Sequence, residues 1–346
     1  IPTPNLPIAL VNQRFVFFAV LFALTMLAAG WWIGRHTFPR EQPTINTHPK
    51  SRVPDPKAEQ VIDDANVVEL EAKLKLAMRD LAEQRQIIRK HSLTKSVRSI
   101  DELLALFPAK YPQGDWTPSE TIFEDCWFET LDGLRIHGWY LKQDTPQAVI
   151  LYAHGNAGNI THRAHLAVHL QQRFNVSVLL FDYRGYGRSE GVPTIDGLHL
   201  DARAARDYLA QREQIQSRDV VLMGRSLGGA IMVELAAEDG ARGLVLESAF
   251  SSLRDVAGSH YPKFLVNLLV ADRLDSHSSI ARFDGPLLIS HGTADQTIPF
   301  VQGRKLFDAA KEPKTFVQIA NADHNDPQSE EYYDHFGRFL ADLPNL

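Results

Sequence analysis

Six short apolar segments, separated by stretches with helical periodicity, most constrain the fold of this chain. Nearly every residue in each segment is apolar, so neither face of the strand that it would form suits water. Strands with two apolar faces are typical of parallel sheets that helices cover on both sides. The segments are residues 148–153, 176–181, 220–223, 244–246, 287–289 and 316–319, and the helical stretches are 160–174, 195–212, 227–238, 301–311 and 329–341.

Two earlier segments, 122–129 and 134–141, alternate apolar and polar residues with the period of a half-buried strand. Asp132 and Gly133 between them form a dipeptide that favours a hairpin turn. An antiparallel hairpin followed by repeats of strand and helix predicts an α/β fold with a doubly wound, mostly parallel sheet. We assign this globular domain to residues 111–346.

The N-terminal part of the chain contains a long apolar run of a different kind. Residues 15–33 include a single polar residue, Thr25, and Arg14 and Arg35 bracket the run. At about 1.5 Å per residue, a helix of this length spans the hydrocarbon core of a bilayer. The sequence therefore predicts a short N-terminal segment, 1–14, followed by a transmembrane anchor, 15–34.

A cleaved signal peptide is the alternative to this anchor, because Ala28, Ala29 and Gly30 offer small residues at a suitable cleavage site. Basic residues are more frequent after the run than before it, which favours a cytoplasmic location for the globular domain. Basic residues upstream of Ile1 would reverse this topology. We expect a single-pass protein of a bacterial inner membrane with its globular domain in the cytoplasm.

Two further segments connect the anchor to the globular domain. The frequent prolines of residues 35–58 predict an extended spacer. Residues 59–110 are predicted to form a helical stalk, in which apolar positions at alternating spacings of three and four follow one face. One interpretation is a coiled coil that makes the protein a homodimer. The other is an amphipathic helix that lies on the globular domain.

Charge and cysteine content exclude several kinds of site. The formal net charge of -6 gives no electrostatic attraction to nucleic acid, so we expect no nucleic-acid partner. Cys126 is the only cysteine, which excludes an intrachain disulfide framework and a multi-cysteine zinc site. We expect neither a metal nor an organic cofactor.

The apolar segment 220–223 runs directly into Gly224-Arg225-Ser226-Leu227-Gly228 and then into a helical stretch. This G-x-S-x-G pattern at a strand-to-helix turn is typical of a nucleophile elbow, which lifts a serine hydroxyl clear of the backbone. A side chain at Gly224 or Gly228 would collide with the neighbouring strand or helix. The pattern therefore predicts Ser226 as a nucleophile.

A serine hydroxyl needs a base, and the base needs an acid that orients it. Asp295 follows the fifth apolar segment and His324 follows the sixth, in the chain order nucleophile, acid, base. This order is that of α/β-hydrolases. We predict Asp295 as the acid and His324 as the base. Glu247, Asp323 and Asp326 remain alternative acids, because geometry rather than chain position defines a triad.

The first apolar segment ends in the glycine-rich loop His154-Gly155-Asn156-Ala157-Gly158-Asn159. A loop of this kind supplies one backbone N–H to an oxyanion hole, and the residue after the nucleophile supplies the other. We predict Leu227 and Asn156 as the two donors, with Ala157 as the alternative to Asn156. The purely structural alternative is a loop whose glycines permit positive φ.

Six segments carry a family resemblance: HGNAGN (154–159), DYRGYGRSEG (182–191), GRSLGGA (224–230), LESAFSS (246–252), HGTADQTIP (291–299) and DHND (323–326). Together they resemble the α/β-hydrolase superfamily, in the serine-hydrolase branch with the BEM46-like and the ABHD13- and ABHD17-type proteins. The resemblance implies an α/β-hydrolase fold with Ser226, Asp295 and His324 as its triad. It does not extend to residues 1–110.

Three features outside the triad have two interpretations each. Asp182 and Arg184 shape their loop by bonding its backbone or each other, or else they bind substrate; we favour the former. Arg225, beside the nucleophile, has the same two interpretations. Residues 251–284 form a short lid, whose apolar stretch 264–270 either packs on the core or forms an acyl-chain or membrane contact.

The combined prediction is a membrane-anchored serine hydrolase that cleaves a carboxylic ester or thioester through an acyl-enzyme. The expected substrate is an acyl ester or a lipid-like molecule, because the anchor would hold the site near a bilayer. One alternative is a serine peptidase of the aminopeptidase kind on the same fold. The other is a membrane-tethered scaffold whose triad is not essential.

Overall fold

The computed structural model describes residues 105–118, 123–271 and 273–344, together with Lys73, Lys75, Leu76, Arg79, Ser99 and Glu102. The predicted anchor, the spacer and most of the stalk lie outside the described residues. Within the described part of the chain, no helix has both the length and the apolar composition that crossing a bilayer requires. From Ser99 onward the described residues belong to one unit, Met78–Leu346.

Eight strands of the described chain form one sheet, in the spatial order β8-β7-β6-β5-β3-β4-β2-β1. All neighbours pair in parallel except β1 with β2 and β2 with β4. The prediction of a doubly wound, mostly parallel sheet with an antiparallel entry hairpin is therefore confirmed. In chain order the strands are β1 (Glu124–Glu129), β2 (Arg135–Leu141), β3 (Ala148–Ala153), β4 (Val176–Phe181), β5 (Val221–Arg225), β6 (Gly243–Glu247), β7 (Leu287–Gly292) and β8 (Lys314–Ile319).

Eight α-helices of the described chain connect these strands or follow them. Five correspond to the predicted helical stretches, and three shorter helices lie between β6 and β7, in the predicted lid. The helices are α1 (Ala164–Phe174), α2 (Ile195–Glu213), α3 (Leu227–Asp239), α4 (Leu253–His260), α5 (Lys263–Leu269), α6 (Ser276–Ile280), α7 (Phe300–Ala309) and α8 (Glu330–Ala341).

The core lies in two layers, one on each face of the sheet. On one face, buried side chains of α2, α3 and α7 pack against the sheet, for example Leu198, Ile231 and Leu306. On the other face, α1 and α8 contribute Leu170 and Phe336. Burial of both faces explains why the central strands are apolar throughout.

A short parallel pair joins Phe107–Pro108 to Ala157–Gly158, in the glycine-rich loop after β3. Leu106, just before the pair, is buried in the core. The last residues of the segment predicted as the stalk thus contact the globular domain. The glycine-rich loop is thus paired with residues 107–108, which lie outside the eight-stranded sheet.

Arg184, in the loop after β4, is buried and forms ion pairs with two acidic side chains. Its guanidinium donates to Asp132 at 2.8 and 3.0 Å and to Asp201 at 2.9 Å. Asp182 instead accepts the backbone N–H of Ile160 at 2.9 Å. Asp182 and Arg184 therefore bond different partners, and Arg184 links the hairpin turn at Asp132 to α2 at Asp201.

Replacing Arg184 by Met should lower the free energy of unfolding by about 3–5 kcal/mol, because it leaves two buried carboxylates without their cation. Chemical denaturation of the purified chain measures this change. The matched control is Lys311→Met, which removes an exposed partner of Asp284 and should change stability by less than about 1 kcal/mol. Equal effects of the two substitutions would contradict the assignment of Arg184 as a buried structural cation.

Candidate active site

Ser226 lies on the sharp turn between β5 and α3. Its φ of 55° and ψ of -120° are unusual for a residue with a side chain. The N–H of Ser226 donates to the carbonyl oxygen of Glu247 at 2.9 Å, which ties the turn to the end of β6. Strained backbone of this kind persists only where the surroundings impose it, and it is concentrated at functional sites.

The turn packs directly on the backbone of the neighbouring strand. A Cβ added at Gly228 would lie 2.1 Å from the carbonyl oxygen of Ala153 on β3. A Cβ at Gly224 would lie 2.4 Å from the carbonyl oxygen of Gly228. Only glycine fits at these two positions, so the sequence around Ser226 is dictated by the tightness of the turn.

Asp295 and His324 meet at the carboxyl edge of the sheet, on the loops that follow β7 and β8. Oδ2 of Asp295 lies 2.8 Å from Nδ1 of His324. The other oxygen of Asp295 accepts the backbone N–H groups of Thr297 at 3.0 Å and Ile298 at 2.8 Å. The carboxylate is thus fixed by its own loop and aimed at one nitrogen of the imidazole, which leaves Nε2 of His324 for other partners.

The environment of Asp295 favours its charged form. Burial raises the pKa of this carboxyl, but the neighbouring His291 and His324 and the backbone N–H of Ile298 lower it more, so the pKa lies well below its usual range. Asp295 is therefore ionised wherever a histidine titrates. An ionised carboxylate beside Nδ1 stabilises an imidazolium, which a general base becomes when it accepts a proton.

Two of the alternative acids, Asp323 and Asp326, have other roles. Asp323 accepts the backbone N–H of its neighbour His324 at 2.7 Å and that of Gln296 at 2.9 Å. Asp326 accepts the backbone N–H of Asp323 at 2.8 Å. These contacts shape the histidine loop, whereas Asp295 contacts the imidazole itself.

Arg225 connects the serine turn to the histidine loop. Its guanidinium donates to the carbonyl oxygen of His324, and at 3.3 Å to that of Asp326. Because Arg225 and Ser226 are adjacent in the chain, this contact brings the serine turn and the histidine loop together. Sequence analysis left the role of Arg225 open, and here it contacts protein backbone.

The glycine-rich loop after β3 lies beside Ser226. A Cβ added at Gly155 would lie 3.6 Å from Cβ of Ser226. Nδ1 of His154 lies 2.7 Å from the carbonyl oxygen of Gly155, and the hydroxyl of Tyr186 donates to the carbonyl oxygen of Asn156 at 2.7 Å. In a trans peptide the C=O and N–H point in opposite directions, so the N–H of Asn156 points away from His154. The orientation of this peptide is fixed before any ligand binds.

Comparison with known proteins shows which sequences this chain resembles. The sequence model of the family described as serine aminopeptidase, S33, matches residues 144–278. The chain is 37% identical to an uncharacterised protein of Mycobacterium tuberculosis over 65% of its own length and 80% of the relative. It is 34% identical to the α/β hydrolase domain-containing protein WAV2 of Arabidopsis thaliana, over 59% of this chain and 73% of WAV2. It is also 29% identical to protein bem46 of Schizosaccharomyces pombe, over 68% of this chain and 85% of that protein.

The chain belongs to the α/β-hydrolases of the BEM46 type. The fold agrees, since an esterase structure from Pyrococcus furiosus matches 69% of this chain and 98% of its own, with a TM-score of 0.58 at 19% sequence identity. The resemblance inferred from the six sequence motifs is thereby confirmed.

Two histidines of this BEM46-type hydrolase contribute to the site although sequence analysis gave them no role. His154 orients the Gly155 peptide, and Nε2 of His291 lies 3.4 Å from Oδ2 of Asp295. Both side chains are buried. A common signal exists in the sequence, because each histidine lies at the carboxyl end of a parallel strand, just after β3 or one residue before the end of β7, and precedes a glycine. Three or more His, Cys, Asp or Glu side chains arranged to hold a metal ion do not occur among the described residues of this hydrolase.

Proposed function

We propose that this protein is a membrane-anchored serine hydrolase that cleaves carboxylic ester or thioester bonds through an acyl-enzyme. One observation carries the proposal. A strained serine at a strand-to-helix turn is joined through Arg225 to the loop of a histidine whose Nδ1 is bonded to an ionised carboxylate. A serine, a base and an orienting acid are the parts that acyl transfer requires.

In the acylation step, Nε2 of His324 accepts the proton of the Ser226 hydroxyl as Oγ forms a bond to the substrate carbonyl carbon. The negative charge on the tetrahedral oxygen is stabilised by the N–H groups of Leu227 and Asn156. The C–O or C–S bond of the leaving group then breaks, and His324 gives its proton to the departing alkoxide or thiolate. Asp295 stabilises the imidazolium throughout and stays ionised.

In the deacylation step, water gives a proton to His324 and attacks the acyl carbon of the ester on Ser226. The same N–H groups stabilise the second tetrahedral oxygen. The bond to Oγ breaks, Ser226 recovers its proton from His324, and the carboxylic acid leaves. Both halves of the reaction use the same base, so one histidine suffices.

An exposed apolar ridge on the lid supports a lipid-like acyl substrate. The side chains of Phe264 and Leu268, one turn apart on α5, are 70% and 77% exposed, and Tyr261 precedes them at 46%. Large apolar side chains that cluster on a surface mark contact with apolar ligands or membranes. Together with the anchor predicted for residues 15–34, the ridge favours an acyl ester drawn from a lipid surface.

The double substitution of Phe264 and Leu268 by Ser should raise KM for a long-chain p-nitrophenyl ester in micelles by about tenfold, which equals about 1.4 kcal/mol of lost apolar contact. Turnover of p-nitrophenyl acetate, which has no acyl chain for the ridge to bind, should stay unchanged. Val192→Ser, at a similarly exposed apolar residue outside the lid, is the matched control. A chain-length profile identical to that of the unmodified chain would refute the role of the ridge.

Labelling with a fluorophosphonate tests the proposed chemistry directly. The full-length chain should bind the reagent covalently, and mass spectrometry should map the label to the peptide with Ser226. Intact protein that remains unlabelled would refute the acyl-enzyme mechanism. Extraction from membranes by detergent, but not by high salt, would support the proposed anchor.

A peptidase is the second candidate, because the matching family model is described as serine aminopeptidase, S33. The two functions differ in the bond that is cleaved and in the need for a free amino group. Side-by-side turnover of aminoacyl p-nitroanilides and p-nitrophenyl esters discriminates them. We expect the esters to be hydrolysed faster.

A further inference from the structure

Arg225 lies at an unusual point, since it ends β5 and directly precedes Ser226. Its side chain is half-buried and donates to two backbone carbonyls of the histidine loop, those of His324 and Asp326. A half-buried guanidinium that donates hydrogen bonds to neutral carbonyl oxygens loses much of its hydration. On the neighbouring strand, one carboxyl group lies on the same face of the sheet.

Glu247 ends β6 and pairs with Arg225 in the parallel register of β5 and β6. Residues paired across adjacent strands point to the same face of the sheet, so the two side chains lie on one face, although neither carboxyl oxygen of Glu247 bonds the guanidinium. The Glu247 side chain is completely buried. Burial raises the pKa of its carboxyl, and Arg225 is the charge that opposes this effect most.

The rest of the Glu247 environment offers weak support for a carboxyl group. The side chains of Tyr332 and Gln328 lie beside it. Neither carboxyl oxygen has a hydrogen bond of normal geometry among the described residues. A buried carboxyl with so little hydrogen bonding is costly, so its presence next to the catalytic turn calls for a role.

The main chain of Glu247 already contributes to the site, because its carbonyl oxygen accepts the N–H of Ser226 at 2.9 Å. One residue thus contacts the serine turn through its backbone and influences Arg225 through its side chain. These two contributions can be separated, since a change from Glu to Gln removes the ionisable carboxyl and leaves the backbone contact in place.

We propose that Arg225 and Glu247 are positioning residues: Arg225 holds the His324 loop against the serine turn, and the buried Glu247 carboxyl on the same face of the sheet influences the position of the guanidinium through space, without a direct bond to it. The inference rests on the proposed serine hydrolase function. Neither side chain takes part in bond making. Their effect is on the distance and angle between Nε2 of His324 and Oγ of Ser226.

Misplacing a catalytic group by about 1 Å can lower a rate by about a hundredfold. Arg225→Ala should therefore reduce kcat by about 10- to 100-fold and leave KM unchanged, because Arg225 bonds the loop rather than the substrate. Glu247→Gln should reduce kcat by about tenfold in the same way, since Arg225 remains but the carboxyl that influences its position is gone. Arg225→Lys, which keeps the cation and loses the planar guanidinium, should recover part of the loss.

The experiment measures kcat and KM for p-nitrophenyl butyrate on the full-length chain and on Arg225→Ala, Arg225→Lys, Glu247→Gln and the double variant. If Glu247 acts through Arg225, the double variant should be no slower than Arg225→Ala alone. The matched control is Glu213→Gln, which removes a carboxylate at the end of α2 that accepts a hydrogen bond from the hydroxyl of Tyr140 on β2. It should leave kcat unchanged. Thermal unfolding of each variant separates loss of fold from loss of geometry.

The low-field proton NMR signal of Nδ1–H of His324 gives a readout that needs no substrate. It should shift in Arg225→Ala and in Glu247→Gln and stay in place in Glu213→Gln. Wild-type kcat and an unmoved signal in the first two variants would overturn the inference, as would multiplicative losses in the double variant. If the unmodified chain neither hydrolyses esters nor binds fluorophosphonate, the proposed function fails instead, and the NMR signal then decides the positioning role alone.

Discussion

Replacing Ser226 by Ala is expected to lower kcat for a p-nitrophenyl ester by about 10⁶-fold, the order seen when the nucleophile of a serine triad is removed. The loss follows from the mechanism, because no other group at this turn can form the acyl-enzyme. The fold should persist, since the N–H of residue 226 still donates to the carbonyl of Glu247 and Ala keeps the Cβ. Stopped assays with purified protein measure the residual rate.

Two further variants sharpen this test. Ser259→Ala removes an exposed hydroxyl on α4 that donates only within its own helix, and it should leave kcat unchanged. Ser226→Gly should be as inactive as Ser226→Ala, yet unfold at a higher temperature, because glycine adopts a φ of 55° without strain. Substantial turnover by Ser226→Ala would mean that this serine is not the nucleophile.

The sequence alone sufficed to predict those features that depend on local pattern. The central strands are apolar on both faces, and the Gly224 to Gly228 turn permits few conformations. Both features can therefore be recognised from the amino-acid sequence. The contact between Asp295 and His324 was also predictable, because strand ends of a parallel sheet lie along one edge. In each case a short segment carries its own structural constraint.

Contacts between distant segments were harder to predict from the sequence. The pairing of β2 with β4 rather than with β3 depends on the crossing of two chain segments, which no local pattern encodes. Arg184 was expected to bond its own loop or Asp182, but it contacts Asp132 and Asp201 from separate elements. Arg225 likewise gains its role only when the loop after β8 packs beside β5. Such partners are chosen by tertiary packing.

Replacing Asp295 by Asn is expected to lower kcat by about 10⁴-fold, as in other triads that lose only the charge of the acid. The amide has the size of the carboxylate, so the loop can keep its shape. Its NH₂ group, however, can donate to Nδ1 and thereby hold His324 in the tautomer that carries its proton on Nε2. That tautomer cannot accept the proton of Ser226, and an amide does not stabilise the imidazolium.

Because the pKa of Asp295 is low, the difference in unfolding free energy between the unmodified chain and Asp295→Asn should depend on pH. A carboxyl whose pKa is depressed by folding stabilises the native state above its unfolded pKa, about 3.9, and this contribution is lost as pH falls below it. The unmodified chain should therefore exceed Asp295→Asn in unfolding free energy at neutral pH, and the difference should shrink below about pH 4. Asp308→Asn, at an exposed partner of Arg304, should alter neither kcat nor this pH dependence.

A loss of kcat in Asp323→Asn or Asp326→Asn as large as that in Asp295→Asn would reassign the acid, because those side chains bond only the loop backbone.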